Sequence, residues 1–136
     1  MSAAAQVPQS KSDSSAGFDL TSIVDCVVNS GTLAVIPIGW TFQVPRHSYA
    51  RIASRPDLAK GFQVGGGVID SDLSPGHSGV KVVFINQSPE DSVVKKGDKV
   101  AQIILENTYN CKLVEVDNLS LSKRGVNRFD SAELGV

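Results

Sequence analysis

The sequence predicts an all-β domain, a sandwich or a barrel. Short apolar runs rich in Val and Ile recur at roughly ten-residue spacing. Strong turn chemistry separates them, and helical periodicity is almost absent.

Taken in order, residues 1–15 are small, polar and patternless and read as a disordered leader. Residues 16–118 hold the β domain. Its apolar runs lie at 33–38, 41–44, 49–53, 63–69, 80–85, 100–105 and 113–116. Asn29-Ser30-Gly31, Pro45-Arg46-His47-Ser48, Ser74-Pro75-Gly76, Ser88-Pro89-Glu90-Asp91 and Lys96-Gly97-Asp98 punctuate them. One short helical turn is expected at Pro56-Asp57-Leu58-Ala59-Lys60, because proline suits the first helical position and Gly61 the position past the end. After Asn118 the chain turns polar, and residues 119–136 read as a mobile C-terminal arm.

The chain has 136 residues, the size of one domain that buries a real core without staples. Its net charge of -1 argues against nucleic acid as a partner, since binding a phosphate backbone needs a basic surface. It lacks an 18-residue apolar run, so no membrane span is expected. Cys26 and Cys111 form neither metal-ligand spacing nor a disulfide framework. With no apolar segment suited to secretion, a cytoplasmic or nuclear location is expected.

The most informative stretch is Gly65-Gly66-Gly67-Val68-Ile69-Asp70-Ser71-Asp72. Three glycines strip side chains from a backbone that runs into two carboxylates, which lets a flat or charged group approach the main chain. Asp70 and Asp72 are equally suited to Asx turns in a hairpin. Three companions make the run specific: Ala16-Gly17-Phe18-Asp19-Leu20, Gly97-Asp98-Lys99-Val100-Ala101-Gln102, and Arg124-Gly125-Val126-Asn127-Arg128-Phe129-Asp130-Ser131.

In order and spacing these segments, with a partial match at Arg51-Ile52-Ala53-Ser54-Arg55-Pro56-Asp57-Leu58-Ala59, resemble the trimeric dUTPase family. The resemblance covers roughly residues 16–131. It implies a jelly-roll-like β-clip fold, a homotrimer with sites between subunits, and Mg²⁺-dependent hydrolysis of dUTP to dUMP and pyrophosphate. Cleaving a phosphoanhydride needs charge neutralisation and an oriented water. By resemblance Asp70 is the catalytic acid that orients that water, and Asp19 holds Mg²⁺ through water. The backbone of Gly65, Gly66 and Gly67 reads uracil, and Leu73 lies under the deoxyribose. Arg55, Gln102, Arg124 and Ser131 meet phosphates, and Phe129 stacks on the base. Read without the resemblance, Asp19 suits a turn or cap, Arg55 an ion pair with Asp57, and Gln102 an exposed strand position.

The chain departs from the family pattern at several places. Where the family has Arg-Ser-Gly-Leu, this chain has Arg55-Pro56-Asp57-Leu58. Proline removes a backbone donor, and Asp57 adds a negative charge where phosphates should lie. Asp57 must therefore turn away, recruit a cation or weaken binding. Leu73 stands for an aromatic, Ser74-Pro75-Gly76-His77-Ser78 lengthens a loop, and Arg128, Asp130 and Glu133 replace arm glycines. These departures keep an alternative open: a dUTPase-fold protein with weak or lost catalysis, acting as a nucleotide-binding or protein-interaction module. In that case a protein partner could engage the tail Leu134-Gly135-Val136.

Overall fold

The structure is a computed structural model that describes residues 4–72 and 79–120. Among these residues ten strands and one 3-10 turn form three antiparallel sheets. The strands are β1 (Gln9–Ser10), β2 (Gly17–Thr21), β3 (Cys26–Val28), β4 (Leu33–Pro37), β5 (Ser48–Ala53), β6 (Phe62–Gly65), β7 (Val68–Asp70), β8 (Lys81–Asn86), β9 (Ser92–Val94) and β10 (Lys99–Asn107). The largest sheet runs β1-β2-β10-β5-β7, the second β4-β8-β6, and β3 pairs with β9.

Alternation of side chains decides which face of each strand is buried. In β5, Ala50 and Ile52 are buried while Tyr49, Arg51 and Ala53 take the other face. In β8, Val82, Phe84 and Asn86 point inward. Leu20, Ile36, Ile69, Ala101 and Ile103 complete the contact between sheets, and Phe62 stacks on Phe84 with ring centroids 5.0 Å apart. Asn86 is fully buried and fully bonded. Its amide donates to Val28 O at 2.9 Å and Glu90 O at 2.8 Å, and its side-chain oxygen accepts from Ser88 N and Ser88 Oγ. One side chain thereby ties β8 to β3 and to the turn before β9.

The expected single helical turn is present at Pro56–Leu58, with Gly61 N bonding Leu58 O at 3.2 Å. Four expectations need correction. The leader is not wholly disordered: Gln9–Ser10 pairs with β2, and Trp40 Nε1 donates to Gln6 O at 2.8 Å. An added edge strand satisfies backbone groups that polar composition alone does not reveal.

Residues 41–44 form no strand, although Val44 is buried; apolar spacing there records burial rather than pairing. The run 63–69 is two strands in different sheets, because Gly66 and Gly67 adopt φ of +67° and +106° and turn the chain from one sheet to the other. Residues 113–116 form no strand, and Leu113 is 99% exposed. Among the described residues they have no ladder partner. Strands β2, β3 and β9 lie outside the expected runs, since each holds too few apolar residues for alternation to register.

Candidate active site

Asp19 lies in the middle of β2, directly across from Gln102 of β10, which is in turn across from Ala53 of β5. Residues opposite one another on adjacent strands share a face, so Asp19 and Gln102 stand side by side on the outward face of the largest sheet. Gly17 makes room there. A Cβ at this position would come within 2.8 Å of Gln102 Oε1 and 2.9 Å of Ile103 O. Gln102 Nε2 donates to Ser54 O at 3.0 Å, and Ser54 Oγ accepts from Val64 N at 3.0 Å. These bonds fix the chain just as it leaves β5, and so place the next residue, Arg55.

Arg55 reaches over Asp19 from an extended backbone that Pro56 enforces. One terminal nitrogen, Nη1, donates to Asp19 Oδ1. Its Nε and Nη2 donate as a fork to Asp57 Oδ1 and Oδ2, each at 3.0 Å. Lys99 Nζ lies 3.1 Å from Asp19 Oδ2. The arginine side chain is only 15% exposed, against 60% for Asp57. The hydrogen bonds from Arg55 hold the Asp57 carboxyl below its ordinary value, and those bonds raise Arg55 in turn. Lys11, Gly17, Asp19, Arg55, Asp57 and Gln102 border a cavity of about 430 Å³, a size suited to a small ligand. Its charged lining is two cations and two carboxylates.

Asp70 is exposed at the end of β7 on the same sheet face. It sits across from Tyr49, which is itself across from Glu106. That rung is four residues along β5 from Ala53, about 13 Å, and three inter-strand spacings separate β7 from β2, about 14 Å. Asp70 and Asp19 are thus roughly 19 Å apart within one chain. The structure brings Asp19, Arg55 and Gln102 together and leaves Asp70 outside their cavity.

Next to Asp70 lies a cluster that the sequence reading missed. Arg51 Nε and Nη2 donate to Glu106 Oε1 at 3.0 and 2.8 Å, and Tyr49 Oη donates to Glu106 Oε2. Glu106 lies 57 positions from Tyr49 and 55 from Arg51, and only the β5–β10 register reveals the cluster.

Of the three glycines, Gly66 is open to solvent, while Gly67 packs tightly on Ile52 and its carbonyl accepts Ile52 N at 2.8 Å. Leu73, His77, Arg124, Phe129, Ser131 and the tail Leu134-Gly135-Val136 lie outside the described residues.

Residues 3–132 match the dUTPase family model. The deoxyuridine 5'-triphosphate nucleotidohydrolase of Arabidopsis thaliana is 41% identical over 133 residues, covering 96% of this chain and 78% of that protein. The Saccharomyces cerevisiae enzyme of the same name is 40% identical, covering 96% and 88%. Among solved structures, a mutant of the Staphylococcus bacteriophage 80alpha dUTPase with dUpNHpp superposes with a TM-score of 0.84 at 19% identity, covering 96% of this chain and 94% of that one. The EIAV dUTPase superposes with a TM-score of 0.73 at 25% identity, covering 84% and 93%. The three sheets described above thus form the jelly-roll-like fold of those proteins, and on the match along nearly its whole length the chain belongs to the dUTPase family.

Proposed function

We propose that this protein hydrolyses dUTP to dUMP and pyrophosphate at sites shared between copies of the chain in a homotrimer. The observation that carries this reading is the sheet face itself. Asp19, Arg55 and Gln102 converge on one cavity, while Asp70 stands on the same face about 19 Å away. A general base must lie within hydrogen-bond reach of the proton it takes. One chain cannot satisfy that requirement, whereas a neighbour presenting its own Asp70 to this cavity can. The segment after β10 supports the same assembly: Tyr109 and Leu113 are 92% and 99% exposed, apolar surface of the kind that a second copy covers.

In this reading Arg55, Lys99 and Lys11 offset phosphate charge, and the carboxylate of Asp70 orients the attacking water and accepts its proton. Gln102 keeps one amide N–H beyond its bond to Ser54 for a phosphate oxygen. Gly65 to Gly67 offer backbone groups to uracil, with the Gly67 carbonyl already bonded to Ile52 N. Leu73, Arg124, Phe129 and Ser131 take the sugar, phosphate and base contacts that the family pattern assigns them.

The residues fit a hydrated Mg²⁺ held mainly by substrate. Among the described residues no group of three His, Cys, Asp or Glu could cage a metal. Asp19 gives one lone pair on one oxygen to Arg55 and one on the other to Lys99, which leaves further lone pairs free to accept from metal-bound water. When bound, Mg²⁺ neutralises charge on the phosphate oxygens.

Pyrophosphate release from dUTP, with and without Mg²⁺, tests the proposal. Turnover that needs Mg²⁺ and falls to background in D70N is expected. Wild-type protein no faster than D70N overturns it. The fork of Asp57 on Arg55 favours one other reading, a nucleotide-binding module with little catalysis. Tight calorimetric binding of a non-hydrolysable dUTP analogue without turnover of dUTP would establish that instead.

A further inference from the structure

We infer that Asp57 is a positioning residue that competes with phosphate for Arg55 and so sets how tightly the site holds phosphate groups. The inference rests on the dUTP-hydrolase reading for its substrate but on local geometry for its contact. A guanidinium has five N–H donors. Asp57 engages two of them at 3.0 Å as a fork, and Asp19 engages a third. Two donors remain for a ligand. The fork through Nε and Nη2 is the geometry that suits two phosphate oxygens, and here a carboxylate of the same chain already fills it.

The contact forms locally. Asp57 is two residues from Arg55, Pro56 between them fixes the backbone, and Asp57 sits in the 3-10 turn at the cavity rim. The partners differ in freedom. Arg55 is largely enclosed and anchored by Asp19, whereas Asp57 is mostly exposed and can swing into solvent. Phosphate therefore displaces Asp57 and not Arg55. With Asp57 in place, Lys11 and Arg55 are balanced by Asp19 and Asp57 around the cavity, so an entering polyphosphate meets less positive charge than a serine or glycine at this position would leave. The consequence is weak retention of pyrophosphate and of the triphosphate moiety alike, a chain-specific setting of affinity against release.

The probe is inorganic pyrophosphate, measured by calorimetry and as an inhibitor of dUTP turnover, on full-length wild type, D57N, D57S and D57E. D57N and D57S are expected to bind pyrophosphate about fivefold tighter, the worth of one exposed ion pair that no longer has to be broken. KM for dUTP should fall by a similar factor without a rise in kcat. D57E, which restores the charge, should return both values toward wild type. Weaker or unchanged pyrophosphate binding in D57N and D57S overturns the inference, because Asp57 would then be helping Arg55 or standing apart from it. Pyrophosphate that binds none of the four proteins overturns it as well. If pyrophosphate affinity shifts as expected but none of the four hydrolyses dUTP, the competition stands and the hydrolase reading fails.

Discussion

Gln102 lies directly across the β2–β10 ladder from Asp19, and its side-chain amide rests where a side chain on Gly17 would be. Gly17, two residues before Asp19, therefore acts as a spacer. It lets a glutamine and a carboxylate from strands far apart in sequence share one pocket wall.

Gly17→Ala tests that spacing. The new methyl meets Ile103 O at 2.9 Å, and backbone there cannot yield as a flexible side chain can. We expect a loss of about 1–3 kcal/mol in stability, seen in thermal or urea denaturation. Turnover should fall about tenfold or more as Gln102 is displaced.

The separation of Asp19 from Asp70 gives a sharper test. D19N and D70N should each be nearly inactive as pure proteins. When they are unfolded together in equal amounts and refolded, random assortment pairs an intact Asp19 with a neighbour's intact Asp70 in about one site in four. Recovery of roughly that share of wild-type pyrophosphate release is expected. A mixture as inactive as its components would mean that each chain builds its own site.

Asn86→Asp should be costly although the side chains have nearly the same shape. The amide of Asn86 donates to two backbone carbonyls, Val28 O and Glu90 O. An aspartate there faces both with an acceptor and buries a charge. A loss of about 3 kcal/mol or more is expected, read as a lower urea midpoint at unchanged slope.

Acid should weaken the Tyr49–Glu106–Arg51 cluster. Hydrogen bonds from Arg51 first, then Tyr49, lower the Glu106 pKa in the folded chain. A depressed folded pKa contributes stability that is fully present above the unfolded value, about 4.3 for glutamate. That contribution is lost as pH falls toward and through the lower folded value. E106Q should therefore show a urea midpoint less sensitive to pH in this acid window than wild type. Equal slopes for the two proteins would show that the cluster does not couple to folding.

Much of the site was legible along the chain because its parts are local. Gly65 to Asp70, Arg55 with its proline, and Gln102 after Gly97-Asp98 each announce a turn or a strand by residue type. The contact of Arg55 with Asp57 was also foreseeable, since two residues of separation and opposite charge suffice. What stayed hidden was non-local. The Arg51–Glu106 fork, the pairing of Gln9 and Ser10 with β2, and the division of 63–69 between two sheets all depend on which strand lies beside which.

The sequence by itself determined the all-β class, the main turns, most of the long strands and the residue types of the site, because alternation and turn propensity act over a few residues. Only the tertiary structure decided that β2 lies between β1 and β10, that Asp19 and Arg55 meet, and that Asp70 stands apart from them on the same face. Register across a ladder is set by burying Ala50, Ile52, Ile69 and Ile103 together, a choice that no single segment makes alone.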